Sequence, residues 1–275
     1  MELGNVRLVL VHDDNKPRKL KHNLGHPRIL AFGGAYSNLI RALAGAGREH
    51  GVETIGVIRG EEHLPLNPVL AYARACGMRL TYLDRAAYRR KHTPEVLDRL
   101  RAEFGEVFVL PEGGSNAAAV RGCAELPAEL GDDYDVICCP VGTGGTLAGI
   151  AAGLPPGRRA IGFSVLKGGG FLHEEVARLQ RQAYGEATAN WSIELGYHFG
   201  GYARTTPELD AFAAEHHVER IYVAKMLYGV HDLIRKGRFE PGTRILAVVT
   251  AQPELPVASC DSPTGFDSGE PRWRR

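Results

Sequence analysis

The sequence lacks the features of membrane proteins, secreted proteins and nucleic-acid-binding proteins. No run of about 18 apolar residues, the length that a membrane-spanning helix needs, occurs in its 275 residues. The start of the chain, MELGNVRLVL, contains neither the basic segment nor the long apolar segment of a signal peptide. The net charge of +1 is too small to attract nucleic acid or an anionic membrane. We therefore expect a cytoplasmic protein whose partners are small molecules.

The five cysteines form neither a disulfide framework nor a metal-binding pattern. Cys138 and Cys139 are adjacent inside an apolar run, and the others are scattered along the chain. We expect reduced thiols, most of them in the core.

The histidines do not indicate a metal site either. His22 and His26 are four residues apart, but Gly25 and Pro27 interrupt any helix there. The polar clusters at residues 12–14 and at residues 216 and 217 are interpreted as solvated groups. We assign no metal.

Short apolar runs that alternate with helical stretches indicate the fold class. The runs are Arg28–Phe32, Thr54–Ile58, Arg79–Leu83, Glu106–Leu110, Val136–Val141, Ala160–Leu166 and Arg244–Thr250. Continuous Val, Ile and Leu runs separated by helices are typical of parallel strands that are covered on both faces. The pattern predicts a doubly wound α/β protein. Residues 253–275 are rich in Pro, Ser, Asp and Gly without periodicity, which predicts a loose tail.

A glycine-rich loop, Gly142-Thr143-Gly144-Gly145-Thr146, follows the run ending at Val141 and precedes a helix of small residues. Its backbone N–H groups, its two hydroxyls and the positive end of the helix can hold a phosphate. A dinucleotide loop would have glycine in place of Leu147 and an acidic residue near Ser164, and a triphosphate loop would have Gly-Lys-Ser/Thr. The loop therefore favours one compact phosphomonoester held without a lysine. The alternative is a tight strand-to-helix turn.

Three further glycine-rich turns also follow apolar runs, at residues 33–38, 112–116 and 167–170. In an open parallel sheet such turns lie at the carboxyl ends of the strands, where ligands bind. No Gly-x-Ser-x-Gly turn, which serine hydrolases use, occurs in the sequence.

A basic segment near the start of the chain contains a candidate catalytic lysine. Asn15 can cap a helix, Pro17 can occupy its first turn, and the helix would stop at Gly25. This places Lys16 at the mouth of the helix, where burial or nearby cations could lower its pKa and make it a Schiff-base nucleophile. The alternative is a basic helix that is simply solvated.

Seven motifs in order resemble one enzyme family. They are Asn15-Lys16-x-Arg18-Lys19-Leu20, Gly33-Gly34-Ala35-Tyr36-Ser37-Asn38, Val57-Ile58-Arg59-Gly60-Glu61, Pro111-Glu112-Gly113-Gly114-Ser115-Asn116, Gly142-Thr143-Gly144-Gly145-Thr146, Gly200-Gly201-Tyr202 and Tyr222-x-x-Lys225-Met226. The chain resembles the pyridoxal-phosphate enzymes that group 1-aminocyclopropane-1-carboxylate deaminase with D-cysteine desulfhydrase.

The resemblance implies the tryptophan synthase β-like fold, also called fold type II. In that fold, two doubly wound parallel-sheet domains hold pyridoxal 5'-phosphate between them. Residues 1–27 and 128–252 would form the large cofactor-binding domain, and residues 28–127 the smaller α/β domain. We expect a homodimer that acts on a small amino acid.

The resemblance also implies which residues bind the cofactor. Lys16 would be the Schiff-base lysine, Asn38 would hydrogen-bond the phenolic oxygen, and Thr250 would meet the pyridine nitrogen. Gly142, Thr143, Gly144, Gly145 and Thr146 would hold the phosphate.

For catalysis, the resemblance implies that Lys16 exchanges the α-proton and that Ser37 meets the substrate carboxylate or assists the proton step. Tyr202 and Tyr222 would face the substrate. The cofactor supplies the electron sink.

Four departures from the family pattern bear on the activity. The segment before Lys16 is short. Leu39 replaces a common histidine or glutamine, and Val223 replaces the glutamate of deaminases or the threonine of desulfhydrases. Residues 249–252 read Val-Thr-Ala-Gln where the family has His-Thr-Gly-Gly.

The departures predict an altered substrate or lost activity. We expect β-elimination of the D-cysteine desulfhydrase type, which yields a keto acid and ammonia. The alternatives are 1-aminocyclopropane-1-carboxylate deamination and cofactor binding without turnover.

Overall fold

The computed structural model describes residues 2–3 and 5–250, so the tail predicted for residues 253–275 lies outside the described residues. The strands are β1 (Glu2–Leu3), β2 (Val6–His12), β3 (Arg28–Gly33), β4 (Glu53–Arg59), β5 (Arg79–Leu83), β6 (Phe108–Leu110), β7 (Val136–Val141), β8 (Arg159–Ser164), β9 (Trp191–Glu194) and β10 (Arg244–Val249). The helices are α1 (Asn15–Lys21), α2 (Asn38–His50), α3 (Pro68–Ala75), α4 (Arg85–Arg89), α5 (Pro94–Phe104), α6 (Ala117–Cys123), α7 (Leu126–Glu129), α8 (Gly145–Gly153), α9 (Leu172–Tyr184), α10 (Pro207–Glu215) and α11 (Val223–Arg235). None of the helices within these residues has the length and apolar character to cross a membrane.

The chain divides into two compact units. Among the described residues, the first contains residues 2–3, 5–19 and 115–250, and the second is Leu20–Gly114. These borders differ from the boundaries predicted at residues 27/28 and 127/128. The physical reason is packing: Leu20 is fully buried in the apolar core of the second unit, whereas α6 packs against α8 of the first.

The first unit is built on a six-stranded sheet in the order β1-β2-β10-β7-β8-β9. Strand β1 is antiparallel to β2, and all other neighbours are parallel. In register, Val11 pairs with Val248 across β2 and β10, and Cys138 pairs with Ala247 across β7 and β10. The carboxyl ends of β2, β10 and β7 therefore lie side by side at one edge of the sheet.

Both faces of this sheet are buried, which explains the continuous apolar run of β7. Cys138 belongs to the apolar cluster on one face, together with helix α11, while Ile137 and Cys139 belong to the cluster on the other face, together with α8 and α9. Side chains alternate across a strand, so every residue of β7 is buried. The two adjacent cysteines thus lie in opposite halves of the core, and both are free thiols.

The second unit has a four-stranded parallel sheet in the order β5-β4-β3-β6. Leu30 and Phe32 pack in the cluster that covers one face, and Ile29 and Ala31 in the cluster that covers the other. The predicted α/β class with two doubly wound parallel sheets is confirmed. Strands β1, β2 and β9 were not predicted.

Helices α6 and α8 are in close contact at Gly149, where there is no room for a side chain. A Cβ atom on Gly149 would lie 2.4 Å from Cβ of Cys123 and 2.6 Å from the carbonyl oxygen of Val120. A Cβ atom on Gly122 would lie 2.0 Å from the carbonyl oxygen of Arg18 in α1. Since main-chain atoms cannot move aside as a flexible side chain can, glycine at these positions lets α1, α6 and α8 approach one another.

We predict that Gly149→Ala destabilises the protein by about 2 kcal/mol in urea unfolding. Alanine has a better helix propensity by about 1 kcal/mol, but the added methyl group meets main-chain atoms and overpacks the contact. Gly170→Ala is the matched control, since a Cβ atom there has nothing within 4 Å. A stability of Gly149→Ala equal to that of Gly170→Ala would contradict the close contact.

Candidate cofactor site

The glycine-rich loop connects the end of β7 to the start of α8. Gly144 is left-handed, with φ of 82°, and α8 begins at Gly145, so the free N–H groups of the first helical turn follow the loop directly. A Cβ atom on Gly145 would lie 2.5 Å from Oγ of Ser115 and 3.3 Å from Nζ of Lys19. The glycines therefore let polar side chains come close to the loop backbone.

Lys16 is connected to this loop through one side chain. Its Nζ donates a hydrogen bond of 2.6 Å to Oδ1 of Asn15, and Nδ2 of Asn15 donates one of 2.8 Å to Oγ1 of Thr146. Asn15 is buried, and Lys16 is half-buried. Burial lowers the pKa of Lys16, against the opposing effect of the Asp14 carboxylate. A lowered pKa favours the neutral amine that a Schiff-base lysine needs.

Lys19 forms a second connection to the same loop. Its Nζ donates to Oγ of Ser115 at 3.1 Å, and that hydroxyl shares a 2.7 Å hydrogen bond with the hydroxyl of Thr143. Lys19 is only 3% exposed. Burial lowers its pKa to about 7, and the positive charge of Lys16 adds to the effect.

The sequence predicts a phosphate loop without a lysine, whereas the structure places Lys19 beside this loop. Lys16 and Lys19 are three residues apart, so a helix brings both side chains to the same face. This i, i+3 spacing was the signal in the sequence that could have identified Lys19.

An ion-pair network holds α1 at the end of β2. Nε of Arg18 lies 2.7 Å from Oδ1 of Asp13, and its two terminal nitrogens donate to the carboxylate of Glu129 in α7 at 2.8 and 2.5 Å. The backbone N–H of Asp13 donates to the carbonyl oxygen of Val249 at 3.1 Å. Burial raises the pKa of Asp13, although Arg18 opposes this. The network ties the lysine-bearing helix to β10 and α7.

The two predicted substrate-facing tyrosines lie together. The rings of Tyr202 and Tyr222 meet edge to face, with centroids 5.8 Å apart. A Cβ atom on Gly142 would lie 3.2 Å from the ring of Tyr222, so this pair adjoins the glycine-rich loop. The backbone N–H of Tyr222 donates to the carboxylate of Glu219 at 2.8 Å. Tyr202 is 47% exposed.

Lys225 links the two tyrosine motifs. Its side chain is fully buried in α11, and its Nζ donates to the carbonyl oxygens of His198 at 3.0 Å and Gly201 at 2.8 Å. Gly201 has a φ of 117°, a conformation that L side chains rarely adopt. The two motifs are thus in direct contact, since Lys225 of α11 binds the loop that carries Tyr202.

Thr250 directly follows β10, which lies between β2 and β7 in the sheet, and its side chain is 7% exposed. Val249 and Val223 belong to the apolar cluster that contains α11. Leu39 is 2% exposed in the core of the second unit. These three departures from the family pattern are therefore core positions.

Ser37 and Asn38 lie in the second unit, at the start of α2. Oγ of Ser37 accepts a hydrogen bond of 3.3 Å from the backbone N–H of Ile40 and caps the helix. Asn38 is the first residue of α2 and is half-buried. The structure brings the other predicted site residues together in the first unit, at the carboxyl edge of its sheet.

Residues 19–251 match the family model described as pyridoxal-phosphate dependent enzyme. The chain belongs to this family. The match begins three residues after Lys16, so the role of Lys16 rests on the motif and on its position beside the loop.

The relatives of the chain include 1-aminocyclopropane-1-carboxylate deaminases. A Pyrococcus furiosus protein provisionally named as this enzyme is 30% identical over 262 residues, which cover 86% of this chain and 79% of the relative. The 1-aminocyclopropane-1-carboxylate deaminase of Burkholderia ambifaria is 26% identical and is covered over 81% of its length. The resemblance stated from the motifs is confirmed.

Solved structures agree with this assignment. The crystal structure of a 1-aminocyclopropane-1-carboxylate deaminase homologue superimposes with a TM-score of 0.75 and 25% identity, covering 88% of this chain and 83% of that one. Threonine deaminase isoform 2 from Solanum lycopersicum shares the fold, with a TM-score of 0.68, 14% identity and coverage of 92% and 76%. The protein is a fold type II, pyridoxal-phosphate-dependent enzyme of the lyase and deaminase group.

The residues of the first unit fit the cofactor. The loop offers backbone N–H groups without Cβ atoms in the way, the Ser115 and Thr143 hydroxyls, and the Lys19 amine, which together suit a phosphate ester. The Lys16 amine, connected to the same loop through Asn15, suits the aldehyde.

We predict that Lys19→Met flattens the pH dependence of apoprotein stability. The pKa of Lys19 is about 7 in the folded chain, well below its ordinary value of 10.5 in a solvated lysine. Between these values the unfolded chain binds a proton that the folded chain does not, so stability falls as the pH decreases and levels off below about pH 7. Urea unfolding at about pH 9.5 and about pH 7.5 should show the wild type losing about 2 kcal/mol more than the variant.

The control is Lys21→Met, which alters an exposed lysine of the same helix and should keep the slope of the wild type. Equal slopes for the wild type and Lys19→Met would show that Lys19 is protonated in the folded protein throughout this range.

Proposed function

We propose that this enzyme is a β-eliminating lyase that acts on a small β-substituted amino acid such as D-cysteine and releases pyruvate, ammonia and the leaving group. One observation carries the proposal. The side chain at position 223, where deaminases have glutamate, is an apolar valine that is fully buried, and the polar side chain at the end of β10 is the neutral hydroxyl of Thr250.

The side chain beside the pyridine nitrogen of the bound cofactor decides which reaction is feasible. The bound cofactor supplies an electron sink for the bonds of the substrate α-carbon. A carboxylate beside a pyridine nitrogen keeps that nitrogen protonated and strengthens the electron withdrawal, whereas a hydroxyl does not. Opening a cyclopropane ring demands strong withdrawal, while expelling a good leaving group such as sulfide demands less. Thr250 and Val223 therefore favour β-elimination.

Lys16 is the proposed base for the α-proton. Its Nζ is held by Asn15, and burial lowers its pKa, so that more of the amine is free to accept a proton near neutral pH than in a solvated lysine. Asn15 is in turn fixed by Thr146, so the amine has a defined position relative to the loop.

The remaining proposed roles follow the positions of the side chains. Tyr202 and Tyr222 form an aromatic wall beside the loop, which can orient a small substrate. Ser37 and Asn38 are proposed to contact the substrate carboxylate and the phenolic oxygen of the cofactor. The homodimer and the cytoplasmic location stay predictions from the sequence.

A second candidate function is 1-aminocyclopropane-1-carboxylate deamination. The names of the relatives from Pyrococcus furiosus and Burkholderia ambifaria favour it. Cofactor binding without turnover is the third possibility. The phosphate loop is needed in either case, and the candidate catalytic residues Ser37, Tyr202 and Tyr222 favour turnover.

We predict that the holoenzyme releases pyruvate from D-cysteine and little or no 2-oxobutyrate from 1-aminocyclopropane-1-carboxylate. Both keto acids can be measured by coupled dehydrogenase assays or chromatography. In protein that stays folded and carries the cofactor despite the cost of a buried carboxylate, Val223→Glu should raise the ratio of ring-opening to β-elimination, because it restores the acidic side chain of the deaminases. Val223→Gln, which has the same shape without the charge, is the matched control and should leave the ratio low.

Efficient ring-opening by the wild type would overturn the proposed reaction in favour of the deaminase. The absence of keto acid from any D- or L-amino acid, in protein that carries the cofactor, would support binding without turnover.

We also predict that borohydride reduction attaches the cofactor to Lys16. Peptide mass spectrometry should find the added mass on Lys16, and Lys16→Ala should remain folded and lose the label. Lys19→Met should keep the label but bind the cofactor more weakly, because it removes a polar group beside the phosphate loop. A label on Lys19 in the wild type would reverse the roles of the two lysines.

A further inference from the structure

Arg59 is the last residue of β4 and belongs to the motif Val57-Ile58-Arg59-Gly60-Glu61. Strands β3 and β4 are parallel neighbours, and Gly33 pairs with Ile58 in their register. The residues that follow this pair, Gly34 and Arg59, therefore lie next to each other where the two strands end. Ligands of open parallel sheets bind at this edge.

The guanidinium of Arg59 borders the turn that leads to Ser37. A Cβ atom on Gly34 would lie 3.9 Å from Nη2 of Arg59, and apart from its chain neighbours it would meet no other heavy atom of the described residues within 4 Å. The backbone N–H of Ser37 donates to the carbonyl oxygen of Gly34 at 3.0 Å, so these two residues close one turn. The space beside Gly34 is therefore open on the side where the guanidinium lies.

Ser37 has a hydrogen-bond donor available at the same turn. Its Oγ accepts a hydrogen bond of 3.3 Å from the backbone N–H of Ile40, and its own O–H hydrogen has no acceptor among the described residues. A Cβ atom on Gly33 would lie 2.7 Å from this Oγ, so glycine at position 33 lets the hydroxyl approach the end of β3. A hydroxyl donor and a cation at one turn suit an anionic ligand.

The charge of Arg59 is not neutralised within the described part of the chain. Its side chain is exposed, and it forms neither an ion pair nor a side-chain hydrogen bond with a described residue. The two acidic residues next in the chain do not pair with it: Glu62 lies 2.8 Å from Arg74, and Glu61 is exposed. The guanidinium is therefore available to a ligand.

A carboxylate is the anion that these groups fit. The planar fork of a guanidinium can donate two parallel hydrogen bonds to the two oxygens of one carboxylate. Ser37 is the proposed contact of the substrate carboxylate, so a carboxylate that it binds comes to the turn that Arg59 borders. The ammonium group of an amino acid is repelled by a guanidinium. The carboxylate end of the substrate therefore faces this turn, and the amino group points away from it.

We propose that Arg59 is a substrate-binding residue, which recognises the α-carboxylate of the amino acid together with Ser37. The inference rests on the proposed substrate contact of Ser37. Arg59 thereby selects free amino acids over their amides and over simple amines, and it orients the amino group of the substrate.

Alanine and alaninamide are the probes for this role. Both carry an amino group and a methyl group, alaninamide lacks the carboxylate charge, and neither has a β-leaving group. In calorimetric titrations of the holoenzyme with both enantiomers of each, we expect the preferred enantiomer of alanine to bind about tenfold or more tightly than its amide. Arg59→Gln should weaken alanine binding by about tenfold and leave alaninamide binding unchanged.

Arg79→Gln is the matched control. Arg79 is also an exposed arginine of this sheet, but it is the first residue of β5 and so lies at the opposite edge from Arg59. This variant should bind both probes as the wild type does. An equal loss of both probes in Arg59→Gln, an unchanged affinity for alanine, or no saturable binding of either alanine enantiomer by the wild type would refute the role of Arg59.

The titrations separate this inference from the proposed reaction, because alanine binding does not require β-elimination. A loss confined to alanine in Arg59→Gln, with no pyruvate from D-cysteine in the wild type, would keep the role of Arg59 and reject the reaction. Pyruvate release by the wild type, with no selective loss in Arg59→Gln, would keep the reaction and reject the role of Arg59.

Discussion

The first unit depends on the burial of two amines on one short helix. Lys16 and Lys19 are one turn apart on α1, and their ammonium forms repel each other and are poorly solvated. Two hydrogen-bond chains compensate for this cost, one through Asn15 to Thr146 and the other through Ser115 to Thr143. Both chains end on the loop between β7 and α8. In the proposed cofactor site, amines that lose their charge easily thus lie beside a loop whose backbone N–H groups can bind a phosphate.

Close packing keeps these amines in place. Helix α1 is too short to be stable alone, so its position comes from its neighbours. The Arg18 side chain anchors it to Asp13 and Glu129, and its backbone touches α6 at Gly122. Helix α6 in turn touches α8 at Gly149, and α8 begins with the phosphate loop. Lysines and loop are therefore positioned by one continuous stack of helices within the unit.

Much of the fold could be predicted because fully buried parallel strands leave continuous apolar runs. Strand β7 is an example, since both of its faces are covered. Strand β2 was not predicted, because its buried positions are interrupted by exposed and half-buried ones and it is not buried along its whole length. The loop at residues 142–146 and Lys16 could be identified from motifs, and the i, i+3 spacing pointed to Lys19, but its contact with Ser115, which is distant in the sequence, could not be predicted. The burial of Val223 and Leu39 could not be predicted either, because a motif does not reveal which side chains enter the core.

The buried contact of Lys225 bears on which residues of this enzyme can be substituted without loss of the fold. The Nζ atom of Lys225 donates hydrogen bonds to two main-chain carbonyl groups, those of His198 and Gly201. This anchor therefore does not depend on the side chains of the loop. Residues 202–205 are exposed. New side chains can therefore replace those at the tip of the loop without disturbing its anchor. This anchor would let substitutions at the tip of the loop change the proposed substrate contacts of Tyr202 while the path of the loop stays fixed.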